Sequence, residues 1–156
     1  ILIFFFLHLI HDYPDQKRNL ISSINTLDAE EIMWFARQYD PQPFHTDIET
    51  AKDTVFEGLI ASGFQTVAVA TGQFIRTGTV EGNGLGGPGL DKIRWVAPVR
   101  PGDTLTTDIE VMEARVMKSD PNRGLVRLAF TVSNAKGVVA TFETILITRA
   151  RGDSAA

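Results

Sequence analysis

Two prolines, Pro41 and Pro43, lie between Asp40 and His45 and interrupt the helical pattern of the sequence. A proline disfavours the helical conformation in the residue before it, so the helical pattern that leads to Tyr39 is predicted to end there. The same prolines predict a short, stiff connection that does not return to helix. Asp40 and His45 are then expected at opposite ends of an elbow, from which their side chains can converge on one small volume.

This acid and imidazole are the first candidates for chemistry. A carboxylate beside a histidine supplies an acid and a base near neutral pH. Such a pair can move protons to and from a water molecule while it adds across a double bond. An Asp and a His in a loop are more often structural than catalytic, so their spacing alone leaves both interpretations open.

A family resemblance favours the catalytic interpretation. Residues 39–51 read YDPQPFHTDIETA and closely resemble the hydratase signature of the MaoC-like dehydratases, the hot-dog-fold family that contains the (R)-specific enoyl-CoA hydratases. The resemblance implies that Asp40 and His45 hold the catalytic water, and Ala51 matches the alanine that follows in the signature. Gln42 departs from the signature, which usually has Asn at that position.

The segments that flank this loop carry helical patterns. Asp28 followed by Glu31 predicts a helix start with a capping box. The apolar face of this first helix is predicted to consist of Ile32, Phe35, Ala36 and Tyr39. A second, short helix is predicted over residues 47–53, with Thr46 or Asp47 as its cap.

A longer apolar segment predicts a central helix that begins at Ser62 and Gly63 and ends near Arg76. Its side chains are small or apolar on nearly every side, which predicts a helix buried all round. Residues at spacings of three and four along it are Phe64, Val67, Ala68, Thr71 and Ile75. The helix start would offer free backbone N–H groups and the positive end of the helix dipole to a developing thioester oxyanion. Gly63 could equally serve close packing alone.

The rest of the chain indicates a sheet. Residues 77–89 contain six glycines and fit G-x-G-x-x-G at residues 82–87, but a dinucleotide site needs a strand before that motif and a helix after it. A flexible connection is predicted instead. Strands are predicted at residues 93–97, 105–111, 126–132 and 138–148, with turns at residues 98–103, 120–124 and 134–137. A meander of strands after a buried helix predicts an α+β fold with an antiparallel sheet.

A second stretch extends the resemblance. Residues 90–105, LDKIRWVAPVRPGDTL, look like the strand-and-turn signature of MaoC-like proteins. The resemblance therefore covers roughly residues 28–147 and implies the hot-dog fold, in which an antiparallel sheet wraps around a long central helix.

Composition limits the other possibilities. The 156 residues predict a single domain over residues 1–156, and the net charge of −4 argues against nucleic-acid binding. The absence of cysteine excludes disulfides and cysteine-bound metal, and it is consistent with a cytoplasmic protein.

Residues 1–10 form an apolar block too short to span a bilayer, which we expect to pack on the body or on a partner subunit. His8, His11 and Asp12 lack a further ligand cluster, so no metal site is predicted there. Residues 151–156 form a polar tail.

The resemblance implies a hydro-lyase of fatty acid metabolism. The substrate would be a trans-2-enoyl-CoA or a similar acyl thioester, and the product an (R)-3-hydroxyacyl-CoA. The backbone N–H of Gly63 would bind the thioester oxygen, and Ser62 would shape that end of the pocket. No metal or redox cofactor is expected, since CoA is part of the substrate. Weak candidates for its phosphate partners are Arg76, Lys92, Arg94 and Arg100.

Two other functions remain open. A hot-dog acyl-CoA thioesterase usually carries a carboxylate on or near its central helix, and residues 59–76 contain none. A non-catalytic acyl-CoA-binding module would not need both Asp40 and His45. In each case the open sheet edge of a single hot-dog unit predicts a homodimer with a continuous sheet, or a larger assembly built from it. The resemblance places the acyl pocket at that dimer interface.

Overall fold

The computed structural model of the chain describes residues 19–21 and 25–150. The predictions for residues 1–10 and for the tail at residues 151–156 lie outside the described residues. The helices in order are α1 (Ala29–Tyr39), α2 (Pro43–Thr46), α3 (Ile48–Lys52) and α4 (Gly63–Arg76). The strands are β1 (Asn19–Ile21), β2 (Asn25–Thr26), β3 (Gly84–Gly86), β4 (Leu90–Trp95), β5 (Thr104–Met117), β6 (Asp120–Asn134) and β7 (Gly137–Arg149).

The strands form an antiparallel sheet in the order β1, β5, β6, β7, with β3 and β4 both along the outer side of β7. The short β2 pairs with the start of β5. The three long strands β5, β6 and β7 are linked by two hairpins, as the alternating pattern predicts. The predicted α+β class is confirmed.

The core lies between α4 and one face of the long strands. The inward residues of β5 and β6 alternate as predicted and are buried: Leu105, Ile109, Val111, Val126, Leu128, Phe130 and Val132. From α4, Phe74 meets Phe130 edge-on at 5.7 Å between ring centroids, and Phe130 stacks on Phe142 at 4.5 Å. Aromatic pairs of this kind bury much apolar area and fix the distance between helix and sheet.

The prediction that α4 is buried all round is wrong for the single chain. Phe64 and Ile75 on one face are 56% and 49% exposed. The buried side chains of α4 are instead Gln65, Thr66, Val67, Ala70, Gln73 and Phe74. Gln73 tolerates burial because its Nε2 donates to the Leu105 carbonyl at 3.3 Å and its Oε1 accepts from Thr107 Oγ1 at 2.6 Å.

The predicted N-cap residues cap their helices, while the reciprocal bond of the predicted capping box is not observed and one predicted apolar face is buried only in part. Asp28 Oδ1 accepts from the Glu31 N–H at 2.8 Å, and Asp47 Oδ1 accepts from the Thr50 N–H at 2.7 Å. Ile32 and Ala36 of α1 are buried as predicted. The prediction for Tyr39 is wrong, because its side chain at the last position of α1 is 67% exposed.

Two connections also differ from their predictions. The glycine-rich segment is not only a flexible connection, because β3 within it pairs with β7. The segment is followed by the strand β4 and not by a helix, so it lacks the helix that a dinucleotide-binding motif needs. The turn between β5 and β6 falls at residues 118–119, before the predicted position. Within the described residues, none of the helices has the length and hydropathy needed to cross a bilayer.

Candidate active site

The loop that carries the candidate pair starts where α1 ends. The Asp40 N–H closes the helix by donating to the Ala36 carbonyl at 2.9 Å. The prediction that the prolines prevent a return to helix is wrong, because Pro43 begins the single turn α2. Proline is suited to a first helical position, since its missing N–H would have no partner there. This turn contains His45 and directs it back toward Asp40.

The pair meets as the sequence predicts. His45 Nε2 lies 3.4 Å from Asp40 Oδ2, and the His45 side chain is buried. The other ring nitrogen, Nδ1, lies 2.8 Å from the Ile60 carbonyl oxygen. A carbonyl oxygen only accepts, so Nδ1 carries a proton. Nε2 is therefore the ring nitrogen that can gain and lose a proton beside Asp40.

Asp40 is held as a carboxylate by its neighbours. Its Oδ2 accepts from Ser62 Oγ at 2.7 Å, and its Oδ1 accepts from Gln42 Nε2 at 2.9 Å. Partial burial raises the pKa of Asp40, but the hydrogen bonds from Ser62 and Gln42 and the charge of His45 together outweigh burial and lower that pKa below its ordinary value. The carboxylate is therefore ionised at neutral pH.

Ser62 and Gly63 join this pair to the start of α4. Ser62 is the N-cap of α4, and its Oγ accepts from the Phe64 N–H at 3.2 Å while donating to Asp40. The Ser62 side chain is fully buried. Gly63 lies so close to the Trp95 indole that a Cβ on Gly63 would overlap the ring. The absence of a side chain at residue 63 therefore lets the indole lie across the helix start.

A cavity of about 330 Å³ opens beside these groups. We call it the His45 cavity, and it is lined by Phe44, His45, Phe56, Ile60, Ala61, Gly63, Thr66, Trp95, Val96, Ala97, Pro98, Val99 and Val139. Of the four predicted site residues, His45 and Gly63 lie in its wall. Asp40 and Ser62 contact each other next to it but are not among its lining residues. An apolar wall with few polar groups suits an organic ligand.

The four weak phosphate candidates do not line the His45 cavity. Lys92 Nζ pairs with Glu143 at 2.7 Å, and Arg94 donates to the Ile93 carbonyl at 2.8 Å. Arg100 donates to the Phe56 carbonyl. Arg76 lines a different cavity, between α1 and α4.

Sequence reasoning missed part of this site. Trp95, Phe44 and Phe56 supply aromatic walls, which the sequence signals only as apolar residues in loops and at a strand end. The Ile60 carbonyl that orients His45 has no signal in the sequence, because any residue can supply a backbone oxygen. In the part of the chain that the structure describes, His, Asp and Glu side chains do not form a group of three or more that could hold a metal ion.

Comparison with known proteins places the chain. The family described as MaoC like domain matches residues 11–134. The chain is 32% identical over 112 residues to the uncharacterized protein YdeM of Bacillus subtilis, covering 72% of this chain and 78% of that protein. It is 29% identical over 150 residues to an (R)-specific enoyl-CoA hydratase of Rhodospirillum rubrum, covering 92% and 96% of the two chains.

The fold agrees with the same group. The crystal structure of a MaoC-like dehydratase from Rhodospirillum rubrum superimposes with a TM-score of 0.81 at 31% identity, covering 92% of this chain and 99% of that one. The curved antiparallel sheet around α4 is the hot-dog fold that the resemblance implies. Since the family match spans more than half of the sequence, this chain belongs to the MaoC-like domain family.

Proposed function

We propose that this protein is a hydro-lyase that reversibly hydrates trans-2-enoyl-CoA, or a similar acyl thioester, to the (R)-3-hydroxyacyl-CoA. The main support is the contact of 3.4 Å between His45 Nε2 and Asp40 Oδ2, in which His45 lines an apolar cavity and Asp40 lies next to it. A rigid acid–base pair next to an organic pocket is the arrangement that water addition requires. The similarity to an (R)-specific enoyl-CoA hydratase supports the same reaction.

In the proposed mechanism, Asp40 and His45 orient one water molecule. As the water oxygen bonds to C3 of the enoyl group, one proton of the water passes to the pair. The pair delivers a proton to C2 on the same face, so it ends the cycle in its starting state. Because the two groups are coupled, we treat them as one proton-transfer unit. The reaction is redox-neutral and needs no redox cofactor.

The start of α4 would stabilise the charge that develops on the thioester oxygen. Gly63 is the first residue of α4, where a backbone N–H has no partner within the helix. This N–H and the positive end of the helix dipole would face the oxygen as it becomes enolate-like. Ser62 would hold the start of α4 next to Asp40, because its hydroxyl donates to the Asp40 carboxylate and accepts from the Phe64 N–H.

We further propose that the protein works as a homodimer in the cytoplasm. Its lack of cysteine fits a reducing compartment. In the described residues the outer side of β3 and β4 pairs with no other strand. An unpaired edge is a site for strand addition unless it is covered. Pairing of two such edges would give a continuous sheet and bring Trp95, at the end of β4, close to the interface.

The first experiment follows the loss of the conjugated-thioester absorbance of crotonyl-CoA. We expect the wild-type protein to hydrate it, and the Asp40→Asn and His45→Gln variants to lose about 100-fold or more in rate, because one acid–base group contributes about 10²–10⁴. Asp47→Asn is the matched control. It makes the same chemical change in a nearby aspartate, and asparagine keeps the helix cap.

The outcomes separate the competing functions. Release of free thiol in place of hydration would favour a thioesterase. Hydration only of longer or branched enoyl-CoAs would keep the reaction and correct the substrate. Binding of acyl-CoA without turnover on any member of the panel would contradict the proposal and favour a non-catalytic module.

A further inference from the structure

Gln42 links the two members of the catalytic pair, although it faces solvent and departs from the family signature. Its carbonyl oxygen accepts from the His45 N–H at 2.9 Å and from Thr46 Oγ1 at 3.2 Å, so its backbone starts the turn that carries His45. Its side-chain Nε2 donates to Asp40 Oδ1 at 2.9 Å. Gln42 is therefore hydrogen-bonded both to the Asp40 side chain and to the backbone of α2, the helical turn that contains His45.

The hydrogen bond from Gln42 completes the environment of the Asp40 carboxylate. Oδ2 faces Ser62 and His45, and Oδ1 faces Gln42. With a partner on each oxygen, the carboxyl group is restrained from rotating about its terminal bond. An amide donor also interacts better with a carboxylate than with a neutral carboxyl group, because charge strengthens the hydrogen bond.

We propose that Gln42 is a positioning residue, which holds the Asp40 carboxylate by Oδ1 and keeps it in the ionised form that the hydration step uses. The kinetic part of this inference rests on the proposed function, whereas the effect on Asp40 ionisation does not.

The other groups around Asp40 define what remains when the amide is removed. His45 on α2 is the charged partner that the described residues place against Asp40, and Ser62 at the start of α4 is a neutral donor. Arg37, one turn earlier on α1, acts on Asp47. Loss of the Gln42 amide therefore leaves one charged and one neutral partner on Oδ2 and none on Oδ1, so the pKa of Asp40 rises.

The test compares Gln42→Met and Gln42→Glu with the wild type. Methionine keeps the length of the side chain without a donor, and glutamate puts a like charge beside Asp40. We expect the acid limb of the kcat/KM profile for enoyl-CoA hydration to move to higher pH in Gln42→Met and further in Gln42→Glu. On that limb, Gln42→Met should lose about 3- to 10-fold, as for one hydrogen bond open to water, and recover toward the wild type at higher pH.

A second readout does not depend on activity. Carbon-13 NMR can follow the titration of the Asp40 carboxyl carbon, assigned by its loss in Asp40→Asn. We expect its midpoint to rise in both Gln42 variants. Gln38→Met is the matched control, because Gln38 is also exposed and lies two residues from Asp40 on α1. This variant should leave both readouts unchanged.

An unchanged carboxyl titration in both Gln42 variants would overturn the inference. An equal loss of kcat/KM at every pH, without a shift of the limb, would also overturn it and assign Gln42 a purely structural role. If the carboxyl titration shifts while no enoyl thioester is hydrated, the effect of Gln42 on Asp40 stands and the proposed function fails.

Discussion

At the scale of single residues, the site depends on the missing side chain of Gly63, which leaves room for the Trp95 indole, and on the Ile60 carbonyl oxygen beside His45. Asp40 and His45 could be predicted from the sequence because the prolines and the signature mark them. The Ile60 carbonyl that sets the tautomer of His45 could not, since no side chain identifies it. The contact between Ser62 and Asp40 could not be predicted either, because the two residues are 22 positions apart and meet only through the packing of α4 near the end of α1.

Gly63 makes the clearest prediction at this scale. A Cβ at residue 63 would overlap the Trp95 indole, so Gly63→Ala must displace the ring. We expect a loss of stability of about 1 kcal/mol, at the low end for overpacking, because the half-exposed ring on an edge strand can move. Hydration activity should fall further, since both residues line the His45 cavity.

A double-mutant cycle with Trp95→Ala tests this steric cause. Urea unfolding of the wild type, both single variants and the double variant gives the interaction free energy between the two positions. With alanine at residue 95, the additional cost of Gly63→Ala should disappear. Equal costs of Gly63→Ala in the two backgrounds would contradict the steric explanation.

At the scale of elements, the sequence predicted which segments form helices and strands better than it predicted which face of each element is buried. The alternation in β5 and β6 identified their buried faces, because the apolar residues that alternate with polar ones in these strands, such as Ile109 and Leu128, are buried. In α4 the apolar pattern predicted burial on all sides, whereas the structure leaves Phe64 and Ile75 about half exposed. It buries Gln65 and Gln73. Gln73 lies inside because two hydrogen bonds satisfy its amide, and periodicity of hydrophobic residues does not record such partners.

The start of α1 offers a quantitative test of helix capping. Asp28 Oδ1 accepts from the Glu31 N–H at 2.8 Å, so Asp28→Ala should lower the free energy of unfolding by about 1 kcal/mol. Asp28→Ser should retain most of the stability, because serine caps helices comparably well. Urea unfolding at neutral pH measures all of these variants.

Glu31→Ala provides the control for this cap. The sequence predicted a full capping box, in which the Glu31 side chain bonds back to the Asp28 N–H, but the hydrogen bond seen here runs only from the Glu31 backbone to Asp28. We therefore expect Glu31→Ala to change stability by a few tenths of a kcal/mol. If Glu31→Ala destabilises the protein as much as Asp28→Ala does, the Glu31 side chain takes part in a reciprocal capping box and this prediction is wrong.

At the scale of the whole molecule, the single chain leaves apolar surface where a partner would be useful. Phe64 and Trp95 contact each other at 5.3 Å between ring centroids and are 56% and 52% exposed. Ile75 further along α4 and Val96 after β4 are 49% and 60% exposed. This surface lies on α4 and near the free side of β4, so one subunit contact could cover both. The helix face that the sequence assigned to the core is therefore a candidate subunit contact.

We expect a homodimer in light scattering at micromolar concentration, and we expect Ile75→Glu to shift it toward monomer. A buried glutamate at the contact would lose its hydration without gaining a partner, which weakens association. Val116→Glu is the matched control, because Val116 is 43% exposed on β5 and two strands separate β5 from β4. The Val116→Glu variant should remain dimeric.

Activity should follow assembly in the same samples. If the partner subunit closes the His45 cavity, crotonyl-CoA hydration by Ile75→Glu should fall as the dimer dissociates on dilution, although Asp40, His45 and Gly63 are intact. A monomeric wild-type protein, or a dimer equally stable with glutamate at residue 75, would contradict an interface on this face of α4. A monomeric Ile75→Glu variant with full activity would show that each subunit contains a complete site.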